Sequence, residues 1–505
     1  MQYVSLLYLL AFLPLVLLAY GLSPQRHRWK LLLAASYIFY GLLSKTLIIY
    51  LLFSTISIHE LGLWLNACQD GEKERKRRIL WYGVFVHIGL LAVLKYSAFF
   101  LESLNAVLPL ALPVPSFVLP AGISFFTLQA VSYLSDVYHG RIRGDESLGR
   151  LALYLAFFPA IVEGPICRYA ETAEELYAGR PLTYKNITFG AQRMVWGLFK
   201  KLVVADRLNI FVQKIFTHWG QYSGLVVLLG AAAYTLQLYA DFSGCIDLTI
   251  GTAELFGVRL PENFRQPFFS RTASEFWRRW HITLGTWFKD YIFYPLSLTR
   301  PVKALGRKAR KTLGRRLGQT VQVLPPLLAV WVCNGLWHGA GWNYLFFGLY
   351  YFVLIVFGNL LEPAADRASH LLGLSREGGI WRVFQTVKMA AIVVTGELFF
   401  RAEGLAAGFA MFGSIFSGWN RAVLTDGTLL RLGLDACDFG VIAAGTLVML
   451  AVDLLHERGV CLREKLAQTN LPLRWTICLA AVLAVVIFGA YGAGYAPVDP
   501  LYAGF

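Results

Sequence analysis

Residues 327–361 read LLAVWVCNGLWHGAGWNYLFFGLYYFVLIVFGNLL, an almost uninterrupted apolar run. A helix needs about 20 apolar residues to cross the hydrocarbon core of a membrane, so this run predicts two membrane helices. Gly335, Gly339 and Gly341 allow tight backbone approach or a break in the helix. His338 lies among these glycines, and an ionisable side chain at membrane depth usually serves a site. This stretch therefore predicts both a membrane fold and a functional residue.

The composition of the whole chain extends this prediction. Of the 505 residues, 57% are hydrophobic and 15% are charged, and the mean hydropathy is +0.54. In soluble domains roughly half of the residues are apolar and about a quarter are charged, so this composition excludes a soluble enzyme. A net charge of +15 would suggest nucleic acid as the partner of a soluble protein. Basic loops that face anionic lipid explain the excess better here, so the sequence indicates a polytopic membrane protein with no nucleic-acid partner.

Similar apolar runs recur along the chain and predict about eleven membrane helices. Residues 31–66 exceed one span and split best into two helices at Leu43-Ser44-Lys45. Weaker segments contain Pro, Gly or ionisable residues, and we expect them to be re-entrant or interfacial. Irregular backbone at membrane depth is tolerated only where protein or water covers it. The predicted fold class is all-α and polytopic. The clear spans are 3–20, 31–66, 79–101, 191–213, 224–250, 327–361, 381–400, 439–455 and 474–492, and the weaker segments are 117–138, 150–165 and 276–298.

Four basic clusters, at 26–30, 73–78, 300–316 and 463–474, orient the predicted helices. The positive-inside rule places all four in the cytoplasm, which puts the N-terminus and the C-terminus outside. The run 300–316 contains no acidic residue and could attract an anionic acyl donor. Inside-positive topology alone also explains it, and we favour that explanation.

Three tryptophans lie close to His338 in the sequence: Trp331, Trp337 and Trp342. An imidazole in so dry a place should be neutral, because loss of water disfavours the charged form. Neutral imidazole can act as a general base toward a hydroxyl. A core histidine bonded to a backbone carbonyl is the alternative.

His281 lies in residues 274–291, where aromatic residues recur at helical spacing while Arg278, Arg279 and Lys289 point elsewhere. This pattern predicts an amphipathic helix that lies in the membrane interface. His281 either takes part in chemistry or is one of the polar residues of a surface anchor.

A third polar group interrupts the apolar run 224–250. Gln237, Tyr239, Asp241 and Ser243 alternate with apolar residues there. Such side chains either line a wet interior or hydrogen-bond neighbouring helices, and the sequence does not separate the two interpretations.

Other kinds of site have no support in the sequence. The seven cysteines are dispersed and the histidines are not spaced as metal ligands, so we predict no metal and no bound cofactor. P-loop, dinucleotide-binding and GxSxG motifs are missing. A polysaccharide or lipid transporter is the competing class of protein, but the expected inverted repeats are not visible.

Several long motifs follow one another in order along the chain. They are GISFF (122–126), GPICRY (164–169), GLFKK (197–201), QLYADFSG (237–244), ELFGVRLPENFRQPFF (254–269), FWRRWHITLGTWFKDYIFYPL (276–296) and GLWHGAGW (335–342). Together these motifs resemble those of the membrane-bound O-acyltransferases. The resemblance is greatest to the bacterial branch with the alginate O-acetylation membrane subunit, and the teichoic-acid D-alanyl transfer protein is a near relative. Several long motifs in order make a specific signal.

The resemblance implies a ring of membrane helices around a central funnel in the bacterial cytoplasmic membrane. It implies transfer of an acetyl or other short acyl group from a cytoplasmic thioester, for O-acylation of an exported cell-surface polysaccharide. The donor would be acetyl coenzyme A or an acyl-carrier thioester. Expected partners are an extracytoplasmic acyltransferase, the exported polysaccharide and membrane lipid. D-alanyl transfer to teichoic acid from a carrier protein is the alternative.

The same resemblance places the two histidines of the family at His338 and His281. We predict that His338 is the base and that His281 positions the donor or handles protons. The residues predicted to bind substrate are Gln237, Tyr239, Asp241, Ser243, Asn334, Trp337, Lys289 and Asp290.

The last residues resemble the short aromatic tail that closes many bacterial members, with matches at Tyr502 and Phe505. The Tyr502 hydroxyl could accept the acyl group and pass it on, or the tail could be an aromatic anchor at the membrane interface. We predict a single membrane-embedded domain, 1–505. Its parts are N-terminal helices (3–101), a motif-bearing core (117–345), C-terminal helices (346–492) and an extracytoplasmic tail (493–505).

Overall fold

The computed structural model describes residues 3–69, 71–108, 111–371, 373, 375, 376 and 378–491. Over these residues the chain is helical, with one isolated antiparallel bridge between Phe264 and Trp280. The α-helices are α1 (Leu13–Leu22), α2 (Gln25–Ser44), α3 (Ile48–Ala67), α4 (Lys73–Val107), α5 (Ile123–Tyr138), α6 (Leu148–Ala156), α7 (Tyr169–Tyr177), α8 (Tyr184–Leu198), α9 (Asp206–Thr217), α10 (Gly224–Leu255), α11 (Ala273–Arg279), α12 (Ile282–Phe288), α13 (Tyr294–Ser297), α14 (Arg300–His338), α15 (Trp342–Leu371), α16 (Gly379–Arg401), α17 (Leu405–Ser414), α18 (Ala436–Glu457), α19 (Leu462–Gln468) and α20 (Leu471–Phe488).

Eight segments of the described residues are long and apolar enough to cross a membrane. They are α2 with α3, α4, α10, α14, α15, α16, α18 and α20. The all-α polytopic fold class is thereby confirmed. The split within 31–66 is also confirmed, because α2 ends at Ser44 and Lys45 adopts a positive φ of 51° before the chain continues into α3.

Two of the eleven predicted spans contain a π-helical turn. The segment 3–20 forms one short apolar helix, Leu7–Leu22, in which the π-helical turn Leu7–Phe12 leads into α1. In the segment 191–213 a second π-helical turn, Phe199–Ala205, joins α8 to α9 without a break. That turn holds Lys200 and Lys201, whose buried ammonium groups point at carboxylates of the core rather than at lipid.

The amphipathic helix predicted within 274–291 is not continuous. The chain forms α11, breaks at His281, and continues through α12, a π-helical turn and α13. His281 adopts the left-handed conformation (φ 45°, ψ 52°), which costs free energy in a residue with a side chain. The break turns His281 into the protein, so this histidine is not a residue of a surface anchor.

The basic run 300–316 forms a helical hairpin rather than a loop. The backbone reverses at Gly314, whose φ of 81° favours glycine. Gly318 then approaches Arg310 from the opposite arm, and a Cβ on Gly318 would lie 2.5 Å from the Cα of Arg310. The basic side chains therefore sit on two packed antiparallel arms.

Helix α10 forms the centre of the fold, since most of its length is buried while the other candidate spans are largely exposed. Helix α8 packs against it through glycines. A Cβ on Gly197 would lie 2.5 Å from the carbonyl oxygen of Gly244, and one on Gly190 would lie 2.7 Å from that of Gly251. Small residues that allow such close approach are typical of helix contacts within membranes.

Helices α14 and α15 meet in the same way. A Cβ on Gly335 would lie 2.5 Å from the carbonyl oxygen of Tyr344, and one on Gly348 would lie 2.2 Å from that of Trp331. These glycines hold the end of α14, and with it His338, against α15.

We predict that Gly348→Ala destabilises the protein by about 1–3 kcal/mol, because its methyl group would overlap the backbone of α14. Gly358→Ala on the same helix is the matched control, since no heavy atom lies within 4 Å of the position of its Cβ. The measurement is the thermal unfolding midpoint of the detergent-solubilised protein. Equal midpoints for the two variants would contradict this account of the α14–α15 contact.

Candidate active site

Two buried histidines define the candidate active site. His338 is the last residue of α14 and is 2% exposed. His281, at the break between α11 and α12, is 1% exposed. The structure thus brings to the interior both of the histidines for which the sequence predicted chemistry.

The end of α14 explains how His338 is held. The last carbonyl groups of a helix have no partner within the helix and need one elsewhere. Helix α4 supplies two: the Nζ of Lys95 donates to the carbonyl oxygen of Trp337 (2.7 Å), and the hydroxyl of Tyr96 donates to that of Leu336 (2.7 Å). A cation at a helix C-terminus is also favourable to the helix dipole. His338 is therefore the terminal residue of a capped helix end.

Asn263 holds His281. The Oδ1 of Asn263 accepts a hydrogen bond from the backbone N–H of Thr283 (3.0 Å), which can only donate. The same oxygen lies 3.2 Å from Nδ1 of His281, so Nδ1 carries the proton and Nε2 bears the lone pair. Asn263 thereby sets the tautomer of His281.

The surroundings of His281 also keep it neutral. Its imidazole packs edge-on against Phe242, with ring centroids 4.8 Å apart. Burial lowers the pKa of His281 to about 3, because the charged form loses its hydration. His281 is accordingly a hydrogen-bonding group rather than a charge at neutral pH.

His338 lines a narrow, mostly aromatic cavity that we name the His338 cavity. Its other lining residues include Trp277, Phe347, Tyr351, Glu397 and Phe400. The imidazole of His338 packs edge-on against Phe400, with centroids 5.1 Å apart. A dry aromatic wall around an imidazole is a suitable setting for a neutral general base.

The two histidines belong to one site. Trp280, the neighbour of His281 in the chain, lines the His338 cavity. His281 and Lys95 are each within electrostatic range of His338. Two imidazoles and one buried ammonium therefore converge on the end of α14.

The polar group on α10 lies in contacts between helices. Asp241 pairs with Nζ of Lys201 (2.5 Å), which also contacts Asp206 (2.7 Å). The hydroxyl of Ser243 accepts from Nζ of Lys200 (2.9 Å). These contacts tie α10 to the π-helical turn after α8.

Gln237 and Tyr239 join α10 to two further helices. The amide of Gln237 donates to Asn209 on α9 (2.9 Å), and the hydroxyl of Tyr239 donates to Asp453 on α18 (2.8 Å). The structure thus favours the second interpretation of this polar group, and its role in substrate binding stays a prediction.

The remaining predicted residues are dispersed around the site. Trp337 is buried beside Lys95, and Asn334 lies buried one turn before His338. Lys289 is exposed, whereas Asp290 pairs with Arg168 (2.7 Å). Their roles as substrate contacts stay predictions, and Tyr502 and the tail 493–505 lie outside the described residues.

Three buried polar residues of the site were missed in the sequence: Lys95, Asn263 and Glu397. Lys95 and Glu397 are ionisable residues within apolar spans, which is by itself a signal of function. Asn263 lies within a motif of the family, but the residues around it give no signal that it is buried or functional. Within the part of the chain that the structure describes, no cluster of three or more His, Cys, Asp or Glu could hold a metal ion.

Comparison with known proteins identifies the family of this chain. The model of the membrane-bound O-acyltransferase family matches residues 4–314. The "probable alginate O-acetylase" of Pseudomonas aeruginosa is 34% identical over 457 residues, which cover 87% of this chain and 82% of the relative.

Two other relatives have different printed activities. The peptidoglycan O-acetyltransferase of Helicobacter pylori is 31% identical over 68% of this chain and 67% of its own length. The teichoic acid D-alanyltransferase of Bacillus subtilis is 29% identical over 48% of this chain and 59% of its own length. The resemblance seen in the sequence motifs is confirmed: this chain, with its buried histidine at a capped helix end, is a membrane-bound acyltransferase and belongs to the membrane-bound O-acyltransferase family.

Proposed function

We propose that the protein transfers a short acyl group from a cytoplasmic thioester to a hydroxyl, for O-acylation of an exported cell-surface polysaccharide. The observation that carries the proposal is His338, a buried imidazole at a capped helix end beside a narrow aromatic cavity. An ionisable residue buried in an apolar helix is costly, so its presence indicates a functional role. The protein would act in the bacterial cytoplasmic membrane with both termini outside.

The proposed step is a balanced acyl transfer. His338 takes the proton of the acceptor hydroxyl, whose oxygen attacks the thioester carbonyl carbon. A C–O bond forms, the C–S bond breaks, and the proton passes from His338 to the leaving sulfur. The products are an ester and a free thiol. Lys95, bonded to the residue before His338, places a hydrogen-bond donor near the end of α14, where negative charge would develop.

His281 is assigned to donor positioning or proton handling. Its Nδ1–H is committed to Asn263, so Nε2 is the atom that can accept a hydrogen bond. A fixed tautomer favours an orienting role, because the ring need not rearrange during the step.

Acetyl coenzyme A or an acyl-carrier thioester is the proposed donor. The helical hairpin that contains residues 300–316 carries eight basic side chains that could attract such an anion, although inside-positive topology also accounts for them. We include an extracytoplasmic acyltransferase and the exported polysaccharide among the partners. The similarity to alginate O-acetylase covers 87% of the chain and that to the D-alanyltransferase 48%, which favours acetyl over D-alanyl as the group transferred.

We predict that His338→Ala lowers acyl transfer by a factor of about 100 or more, the usual contribution of a general base. The measurement is the acyl content of the cell-surface polymer by mass spectrometry, with the amount of protein in the membrane followed in parallel. His456→Ala, at an exposed position on α18, is the control. Undiminished acylation by His338→Ala would refute the assignment.

We predict that protonation of His281 does not limit transfer between about pH 5 and pH 8, because burial lowers its pKa to about 3. Asn263→Asp should change this, since a carboxylate beside Nδ1–H stabilises the imidazolium and raises the pKa of His281. The variant should then lose activity as the pH falls, in an assay of transfer by isolated membranes. Asn420→Asp, at an exposed position, is the control, and parallel pH profiles for all three proteins would contradict the role of Asn263.

The hydroxyl of Tyr502 is proposed as an acyl relay, and it lies outside the described residues. If the hydroxyl carries the acyl group, Tyr502→Phe should abolish polymer acylation while Tyr491→Phe should not. The measurement is again mass spectrometry of the polymer. Normal acylation by Tyr502→Phe would leave the aromatic anchor as the explanation of the tail.

A further inference from the structure

The His338 cavity is small. Its volume is about 10 Å³, which is room for roughly one water-sized group. A methyl group is of similar size. Whatever lies in this cavity while His338 acts on a thioester carbonyl therefore has the bulk of one methyl.

Rigid rings form much of the wall. Phe347 contacts both Tyr351 and Phe400, with ring centroids 5.1 Å apart in each pair. Trp277 packs edge-on against Tyr351, with centroids 4.9 Å apart. Displacing closely packed rings costs free energy, so the cavity cannot expand easily to accept a larger group.

One carboxyl group, that of Glu397, lies in the wall of the cavity together with these rings. The residue lines the cavity, is 3% exposed and lies within α16. Its Oε2 makes no hydrogen bond to any residue that the structure describes. A longer alkyl chain would have to displace this side chain, so Glu397 limits the volume of the cavity.

An aminoacyl group meets a different obstacle. Its α-carbon bears an ammonium group as well as a methyl group, and the ammonium could pair with Glu397. The two substituents together need more room than one methyl. The volume therefore argues against an aminoacyl group even where the charge would favour it.

From this geometry we propose that the His338 cavity is the acyl pocket, and that Glu397 and Phe347 restrict the transferred group to acetyl. The inference rests on the proposed function and names the group that His338 transfers. The methyl of the acetyl thioester lies in the cavity while its carbonyl carbon faces His338. Glu397 is a specificity-determining residue that takes no part in the proton transfer.

The test measures the choice of acyl group by membranes that contain the full-length protein. Acetyl, propionyl and butyryl thioesters are offered on coenzyme A and on an acyl-carrier protein, together with a D-alanyl carrier thioester. Transfer to a polysaccharide acceptor is quantified by mass spectrometry. One methylene in an apolar pocket changes specificity by about 10- to 200-fold, so the wild-type protein should prefer acetyl over propionyl to that degree.

Two variants open the pocket independently. Glu397→Ala and Phe347→Leu should each raise the ratio of propionyl to acetyl transfer by about 10-fold or more. Glu397→Gln keeps the size of the side chain and should keep the wild-type ratio. Glu403→Ala, at an exposed position just after α16, is the control. The unfolding midpoint of each variant shows whether it is folded.

Several results would overturn the inference. Butyryl transfer by the wild-type protein as good as acetyl transfer would do so, as would an unchanged ratio in both opened variants. Preference for D-alanyl that is lost in Glu397→Gln would make Glu397 a counter-ion for an aminoacyl group instead. If the wild-type protein transfers no group from either carrier, just as His338→Ala transfers none, the proposed function itself fails and the inference falls with it.

Discussion

A helix that ends inside a membrane must find partners for its last carbonyl groups, because lipid offers none. Helix α14 meets this constraint through Lys95 and Tyr96 of α4, which donate to the carbonyl oxygens of Trp337 and Leu336. These two hydrogen bonds allow the chain to turn in the protein interior and to present His338 at the turn. Without them, the glycines that follow would leave an unsatisfied helix end in an apolar environment.

The same constraint governs the scaffold around α10. Lys200 and Lys201 would be costly in lipid, and both are buried against carboxylates: Lys200 contacts Asp247 (2.6 Å) and Lys201 contacts Asp241 (2.5 Å). Removing one partner from such a pair leaves an uncompensated charge in the interior. The polar residues on α10 therefore bond α10 to the neighbouring helices, and these helices surround the two histidines.

Much of the architecture could be predicted from the residues. The apolar runs identify α10, α14, α15, α16, α18 and α20, and the turn at Lys45 was visible as a lysine in the middle of an apolar stretch. The break at His281 was not visible, because Trp and Phe recur at helical spacing on both sides of it. It depends on Asn263, which is 18 residues away and bonds to both His281 and Thr283. Glu397 was visible as an ionisable residue in an apolar span, but its position beside His338 was not, because the two residues are far apart in the chain.

The sequence by itself determined that this is a helical membrane protein, which family its motifs resemble, and which two histidines are candidates for chemistry. Hydropathy and the order of motifs depend only on residues that are close together in the chain, so both can be determined from the sequence alone. Only the tertiary structure decided that Lys95 caps the helix that ends at His338, that Asn263 sets the tautomer of His281, and that Glu397 faces the same cavity as His338. Those contacts join residues far apart in the chain, and each is favoured because an unpaired polar group is costly to bury.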